Sequence, residues 1–551
     1  MMRHIVSIIV FCFVYIASLW ADESRYASQS LLSSGRWVKI KVEKSGVYRL
    51  TAADLKKMGF TDLSKVSIHG YGGWILDENF SKAGYLDDIP SVPVWTNGNA
   101  LFFYAKGPVK WEYDSRNDSF VHTNNPYSVA GYYFVTDATD TNSIKELPSV
   151  EGAVRQINTF DDYQLWEKDE VSVNESGREL FGESFISTTT RNFSFTVPNI
   201  TSDDAKVSLR FISKAIQGST FVTLSTNDST LIKLAVPANG VNDTYTKAVA
   251  VFRMQEWIGK KSEKTTFTVN YGRMGDQNVY LDYIRFQMRR SLQMTGNQMA
   301  FRSTDAINNV SQFQLSGSSA ATVVWDITDA QNPLWIDGNL KDSNFSFSIS
   351  ASDKIREFIA FDKDKLTDSP TIVGEINPQD LHGLGQYNMV IIAPELLTSE
   401  AERLAEAHHK HEGLNTIVVN PEAIYNEFSS GTPDATAYRR FLKMLYDRST
   451  EEMPLKYLLL VGDGSFDNRG LTREWSMNKS LQKNMLLTYQ SANSVDIDSY
   501  TTDDYFGFLE DGSGALLNTS KMSIGIGRFP VRTTAEASAT VSKVIEYMEN
   551  S

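Results

Sequence analysis

The 551-residue sequence contains one cysteine, Cys12, which lies inside an apolar N-terminal stretch. Everything downstream is without a thiol, so residues 13–551 hold no disulfide, no thiolate metal site and no cysteine nucleophile. Positive charge is also short. Lys and Arg number 53 against 67 Asp and Glu, a formal charge of −14, and no basic run or basic helix stands out. That balance argues against nucleic acid as a partner. Long apolar runs are confined to the N-terminus, where "IVSIIVFCFVYIASLW" falls short of the ~20 residues of a membrane span. With Arg3 ahead of it and the small Ala21 before "DES", this run reads as a signal peptide over residues 1–21, the alternative being an N-terminal anchor. No second run approaches spanning length. The expectation is an exported protein, soluble or peripherally attached.

What is present indicates a folded, multidomain chain. Hydrophobic residues make up 41% and aromatics 12%, and 551 residues exceed what one core organises, so two to four domains are expected. Residues 22–150 read as a β-rich N-terminal domain with one short helix at "TAADLKKMGF". "RWVKIKVEKSGVYRL" suits a hairpin turning at Ser45-Gly46. The aromatic–glycine cluster "HGYGGW" (His69 to Trp74) reads as core and turn, with carbohydrate binding as the alternative. Residues 151–375 read as a β-sandwich-like region, with short alternating strands from "RNFSFTV" to "VYLDYIRFQM" separated by turns. From residue 385 the pattern becomes strand–helix–strand–helix–strand, which predicts an α/β domain with a mostly parallel sheet. Its expected elements are "YNMVIIAP", a helix capped by Ser399 and Glu402 and stopped by Gly413, "LNTIVVN", and a helix with Tyr438, Phe441, Leu442 and Leu445 on one side. "YLLLVGDGS", the strand "KMSIGIGRFPV" and a helix opened by Thr533 and Glu536 complete the set.

The junction "YLLLVGDGSFDNRG" (Tyr457 to Gly470) is a buried strand running into a glycine- and carboxylate-rich loop, where α/β proteins place ligands. As a phosphate cradle it lacks the G-K-S/T ending, and Asp463 and Asp467 would repel the anion. As a nucleophile elbow it would need Gly where Asp467 stands, and Ser465 has no evident histidine partner. As a cation loop it offers Asp463, Ser465, Asp467 and Asn468 as alternating oxygen donors, which makes Asp463 and Asp467 candidate ligands of a structural calcium. In "HHKH" (His408 to His411), His408 and His411 lie one turn apart, which raises a zinc reading, but no third ligand is identifiable, so a solvated helix face is the simpler account. "LHGLG" around His382 reads as the loop before the first parallel strand. "YTTDDYFGFLEDG" sets the paired carboxylates Asp503 and Asp504 where a cleft could receive a cationic side chain; a helix cap or turn with solvated acids is the alternative.

Taken together, "YLLLVGDGSFDNRG", "TTDDYFGFLEDG" and "IGIGRFPVRTTAEASATVSKVIEYMEN" resemble the gingipain family of cysteine peptidases (C25), whose catalytic domain is caspase-like. The G-D-G-S-F-D-N-R form points within it to the sortases of the type IX secretion system of Bacteroidetes. The upstream "GRWVKIKVEKSGVYRLTAADLKKMGF", "GYGG" and "LFFYAKGPVKW" extend the resemblance over most of the chain. It implies an outer-membrane-surface enzyme that removes the C-terminal signal domain of secreted cargo with a Cys/His dyad and passes the cargo to an amine of lipopolysaccharide. Other secretion components are the implied partners, and no cofactor is required. Asp503 aligns with the floor of the specificity pocket in arginine-specific members and is carried over as a substrate contact, with Asp504 as its neighbour in register. The family's histidine and cysteine both follow the I-G-R-F segment and its helix, where this sequence stops. The chain therefore reads as an N-terminal portion, ending with the first half of the caspase-like domain at 385–551 and inactive by itself. Two rivals stand beside this reading. One is a non-catalytic surface protein that binds cargo or a secretion partner; the other is a hydrolase built on Ser465 or the helix histidines.

Overall fold

The computed structural model of the chain describes residues 25–80, 87–215, 218–240, 243–259, 261–273, 278–477, 482, 484–514 and 516–550. The signal-peptide reading of residues 1–21, with Cys12, lies outside them. Among the described residues no helix is long and apolar enough to cross a membrane.

The first strands build a small sandwich. One sheet runs Thr371–Ile376, Trp37–Val42, Gly131–Thr136, Ser67–His69, Ser91–Val92; the facing sheet runs Gly46–Thr51, Ala100–Ala105, Val94–Thr96. Val38, Ile40 and Val42 from one sheet and Leu50, Leu101 and Phe103 from the other share a core. The expected hairpin between Trp37–Val42 and Gly46–Thr51 is not formed. The first strand pairs with Thr371–Ile376 and Gly131–Thr136, and the second with Ala100–Ala105. Residues 43–45 are a corner at which the chain passes from one sheet to the other. Alternation cannot distinguish a corner from a hairpin, because both strands bury the same face either way. The glycines of "HGYGG" serve packing. A Cβ on Gly73 would lie 2.8 Å from backbone atoms of both Gly107 and Gly131, so three backbone segments touch there.

The middle region holds two sandwiches on one shared sheet. Nine strands run from Lys145–Leu147 at one edge, through Gln298–Arg302, Thr159–Glu167 and Val279–Ser291, to Val249–Trp257 at the other. The sheet Thr190–Thr196, Lys264–Tyr271, Thr220–Ser225, Thr230–Val236 covers one half, with Phe193 and Phe195 against Phe211 and Phe286. The sheet Arg155–Ile157, Ser311–Ser316, Asn344–Ile349, Asn339–Lys341 covers the other, with Phe313 and Phe347 against Phe301 and Phe358.

The last region is a three-layer α/β unit. Its sheet runs Thr416–Val419, Met389–Ile392, Tyr457–Val461, Gly525–Phe529, all parallel. Alternate residues serve opposite faces, as continuous apolar strands allow. Met389, Ile391, Leu459 and Val461 pack on Thr398–Glu412 and Thr534–Asn550. Val390, Ile392, Leu458 and Leu460 pack on Pro421–Phe428 and Ala435–Asp447. The helix Pro421–Phe428 is absent from the sequence reading, although Asn420 caps it and proline occupies its first turn. The expected Ser399/Glu402 capping box does not form, because the helix starts two residues earlier, out of a 3-10 turn, with Leu397 as its N-cap. Gly413 does end that helix, at φ 68°. The Thr533/Glu536 box does form at the last helix.

Candidate functional site

The carboxyl edge of the parallel sheet carries two loops: 462–470 after the third strand, and a hairpin whose strands Tyr489–Gln490 and Thr501–Thr502 pair antiparallel and which leads into Asp503. Arg528, on the fourth strand, joins them. Its Nε and Nη2 donate to the two oxygens of Asp503 at 2.8 and 2.7 Å, Nη1 donates to the Gly462 carbonyl at 3.0 Å, and Nη2 also reaches the Leu487 carbonyl at 3.2 Å. Asp503 is thus a neutralised carboxylate in a bidentate pair rather than a free anionic floor. Asp504 is exposed, its backbone N–H donating to the Thr502 hydroxyl.

The two loop carboxylates proposed for a cation have separate partners. Asp463 turns outward to Arg532 Nε at 2.6 Å and caps the Gly464 N–H. Asp467 turns inward: it is 2% exposed, one oxygen accepting the Thr472 N–H at 2.7 Å and the other buried without a partner. Neither belongs to any grouping of three or more metal-ligating side chains among the described residues. Ser465 is buried, its hydroxyl accepting the Asp467 N–H, as suits a turn-former rather than an exposed nucleophile. Asn468 exchanges bonds with the Thr488 backbone, stitching the loop to the segment before the hairpin. On the helix, His408 pairs with Glu412 one turn on, while His409 and His411 are exposed; they assemble no metal set.

A second polar centre went unread in the sequence. The His382 ring is fully buried and stacks on Phe428 at 4.6 Å. Its Nδ1 meets Glu427 Oε2 at 2.6 Å and its Nε2 meets Asp87 Oδ1 at 3.2 Å. Burial pulls its pKa down, but bonds to Asp87 and Glu427 outweigh that and raise it to about 9. Asp88, His382 and Glu427 come close enough to suggest a metal set. Their oxygens are otherwise occupied: Glu427 accepts from Gln379, from the Leu381 and His382 amides and from the ring, and Asp88 accepts from Ser30 and Leu31. Carboxylates ringed by N–H donors suit an imidazolium, not a second cation. Around this centre residues 25–32 form a strap. Arg25 pairs with Asp511 at 2.7 Å, Tyr26 donates to Asp447 at 2.6 Å, and the Ser30 amide donates to Asp380 at 2.8 Å. The strap ties the N-terminal sandwich to the α/β unit.

Residues 382–551 match the model of peptidase family C25. No curated protein matches the chain. Among solved structures, dimeric latent PorU from Porphyromonas gingivalis is 34% identical with a TM-score of 0.87, over 95% of this chain and 50% of that one. The chain therefore spans about half the length of the solved PorU it matches. A carbohydrate-binding module of a xylanase from the hindgut metagenome of Trinervitermes trinervoides is 10% identical, with a TM-score of 0.16 over 23% of this chain and 96% of its own; so slight a likeness carries no argument. Residues 382–551 are thus similar to peptidase family C25, and the chain as a whole is PorU-like in sequence and in fold.

Proposed function

We propose that this chain serves a PorU-type cysteine endopeptidase and sortase, to which it contributes the β-regions and the first four strands of the catalytic sheet. The observation that carries this reading is the PorU likeness over 95% of the chain together with the C25 match at 382–551. In this reading the enzyme sits at the outer-membrane surface, cleaves the C-terminal signal domain from type IX cargo, and passes the cargo acyl group from a thioester to an amine of lipopolysaccharide. Attack by a thiolate activated by histidine, followed by aminolysis instead of hydrolysis, is the chemistry required. Residues 13–551 have no cysteine to supply that thiolate. Their part is the substrate side. Asp503, already neutralised by Arg528, suits a neutral cargo side chain at the cleavage position better than a cationic one. Exposed Asp504 faces solvent beside it.

The test uses a cargo protein bearing its C-terminal signal domain, incubated with the 551-residue chain and with the longer protein of which this reading makes it part. The longer protein is expected to cleave, and to stop on thiol alkylation. The 551-residue chain is expected to show no turnover. Cleavage by the short chain that survives alkylation would overturn the proposal.

A further inference from the structure

The two loops at the carboxyl edge of the sheet are not held by the α/β unit alone. Arg469, the arginine of "GDGSFDNRG", reaches out of its own unit to Asp169 of the middle β-region at 2.7 Å, and both side chains are about nine-tenths buried (8% and 10% exposed). The hairpin is gripped by the next residues of the same β-segment. Arg178 Nε and Nη2 donate to the Gln490 carbonyl at 3.1 and 2.8 Å, and its backbone N–H donates to the Ser491 carbonyl at 3.0 Å. The same guanidinium lies 5.1 Å over the Tyr489 ring and pairs with Glu78 of the N-terminal sandwich at 2.9 Å. Asn174 Nδ2 donates to the Asp496 carbonyl and the Ser499 hydroxyl. A Cβ on Gly177, at φ 78°, would lie 2.2 Å from Asn493 O and Ser494 Oγ, so the hairpin passes directly against that backbone.

We propose that the 169–180 segment of the β-region is a working part of the C25 site, with Asp169 and Arg178 as positioning residues that fix both loops and, through them, the Asp503–Arg528 pair. This rests on the peptidase reading above. The physical reason is that each contact is specific and hard to replace. Losing Asp169 leaves a buried guanidinium without its ion-pair partner, Glu167 being its remaining nearby carboxylate, and the loop carrying it must shift. A cavity of about 350 Å³, lined by Asp169, Arg178 and Arg469 among others, lies beside the joint and gives it room to do so. Losing Arg178 frees the Gln490 carbonyl and one face of Tyr489. Displacements of this order, remote from the reacting atoms, weaken the hold on the substrate rather than removing a catalytic group.

Charge reversal tests the pair in the longer protein. Asp169→Arg and Arg469→Asp are each expected to lower kcat/KM on cargo about tenfold, mostly through KM, and the double reversal to recover within about threefold of wild type. Asn174→Ala, a milder lesion that removes two bonds from the hairpin only, is expected to raise KM about threefold without lowering Tm by more than a few degrees. Hydrogen exchange on the 551-residue chain provides a readout independent of peptidase activity: Asp169→Arg is expected to speed exchange at 462–470, and Asn174→Ala at 493–499. Unchanged exchange in those segments, or lowered Tm with unchanged KM and kcat, would overturn the positioning role. A wild-type longer protein that does not cleave cargo would overturn the peptidase reading instead, and exchange would still decide whether the β-segment holds the loops.

Discussion

His382 puts a pH dependence into the fold. Held between Asp87 and Glu427, its pKa is raised from the usual 6.5 to about 9. A histidine pKa raised by folding means that the folded state binds its proton more tightly. The stability it confers is fully present below pH 6.5 and is lost as pH rises through 9. Asp282, pushed up by burial to about 8, and Lys106, pushed down by burial to about 8, also titrate in that range, so the comparison must be with a variant. His382→Gln is expected to cost roughly 3–5 kcal/mol at pH 6, because Glu427 is left fully buried without its cation. That difference should shrink markedly by pH 9.5 in urea unfolding followed at several pH values; a constant difference would refute the ionised clasp. None of this was legible in "LHGLG". The partners lie 295 residues upstream and 45 downstream, and a histidine's neighbours in space leave no trace in its neighbours in sequence. Asp503 stood out in the sequence as a candidate substrate contact, whereas its pairing with Arg528 did not, because a loop residue and a separate strand come together only in the fold.

Among the elements, the parallel strands and the main helices were legible, since continuous apolar runs and 3.6-residue periodicity survive without knowledge of what covers them. Gly413 was read as a helix stop, and it occupies the left-handed region with nothing within 4 Å of the space a Cβ would fill. Gly413→Ala should therefore cost about 1 kcal/mol through backbone strain alone. Chemical denaturation checks this, and a cost above about 3 kcal/mol would mean that a packing role had been missed. The helix Ala435–Asp447 shows where periodicity fails. Its apolar side was read from Tyr438, Phe441, Leu442 and Leu445, yet the polar side is buried too. Arg439 donates to the carbonyls of Phe508, Glu78 and Ser513, and Lys443 pairs with Asp447 and Asp511. Polar residues at a helical period signal solvent only when no other domain comes to meet them.

At the scale of the molecule, the α/β unit is built to be leaned upon. Arg439 reaches Glu78, Lys39 of the first sheet reaches Glu422 and Asn426, and the strap crosses both. Among the described residues, the Gly525–Phe529 strand has a partner on one side only. The isolated segment 385–551 is therefore expected to aggregate when expressed alone, while the whole chain melts cooperatively. A soluble 385–551 preparation with its own sharp calorimetric transition would refute this. The strap has a kinetic consequence as well. Residues 25–32 are made early, but Asp380, Asp447 and Asp511, which receive them, come hundreds of residues later. Pairings this distant in sequence form slowly. Ser30 and Leu31 can settle on Asp88 early, but Arg25 and Tyr26 must wait until residues 447 and 511 have emerged and folded before the strap closes.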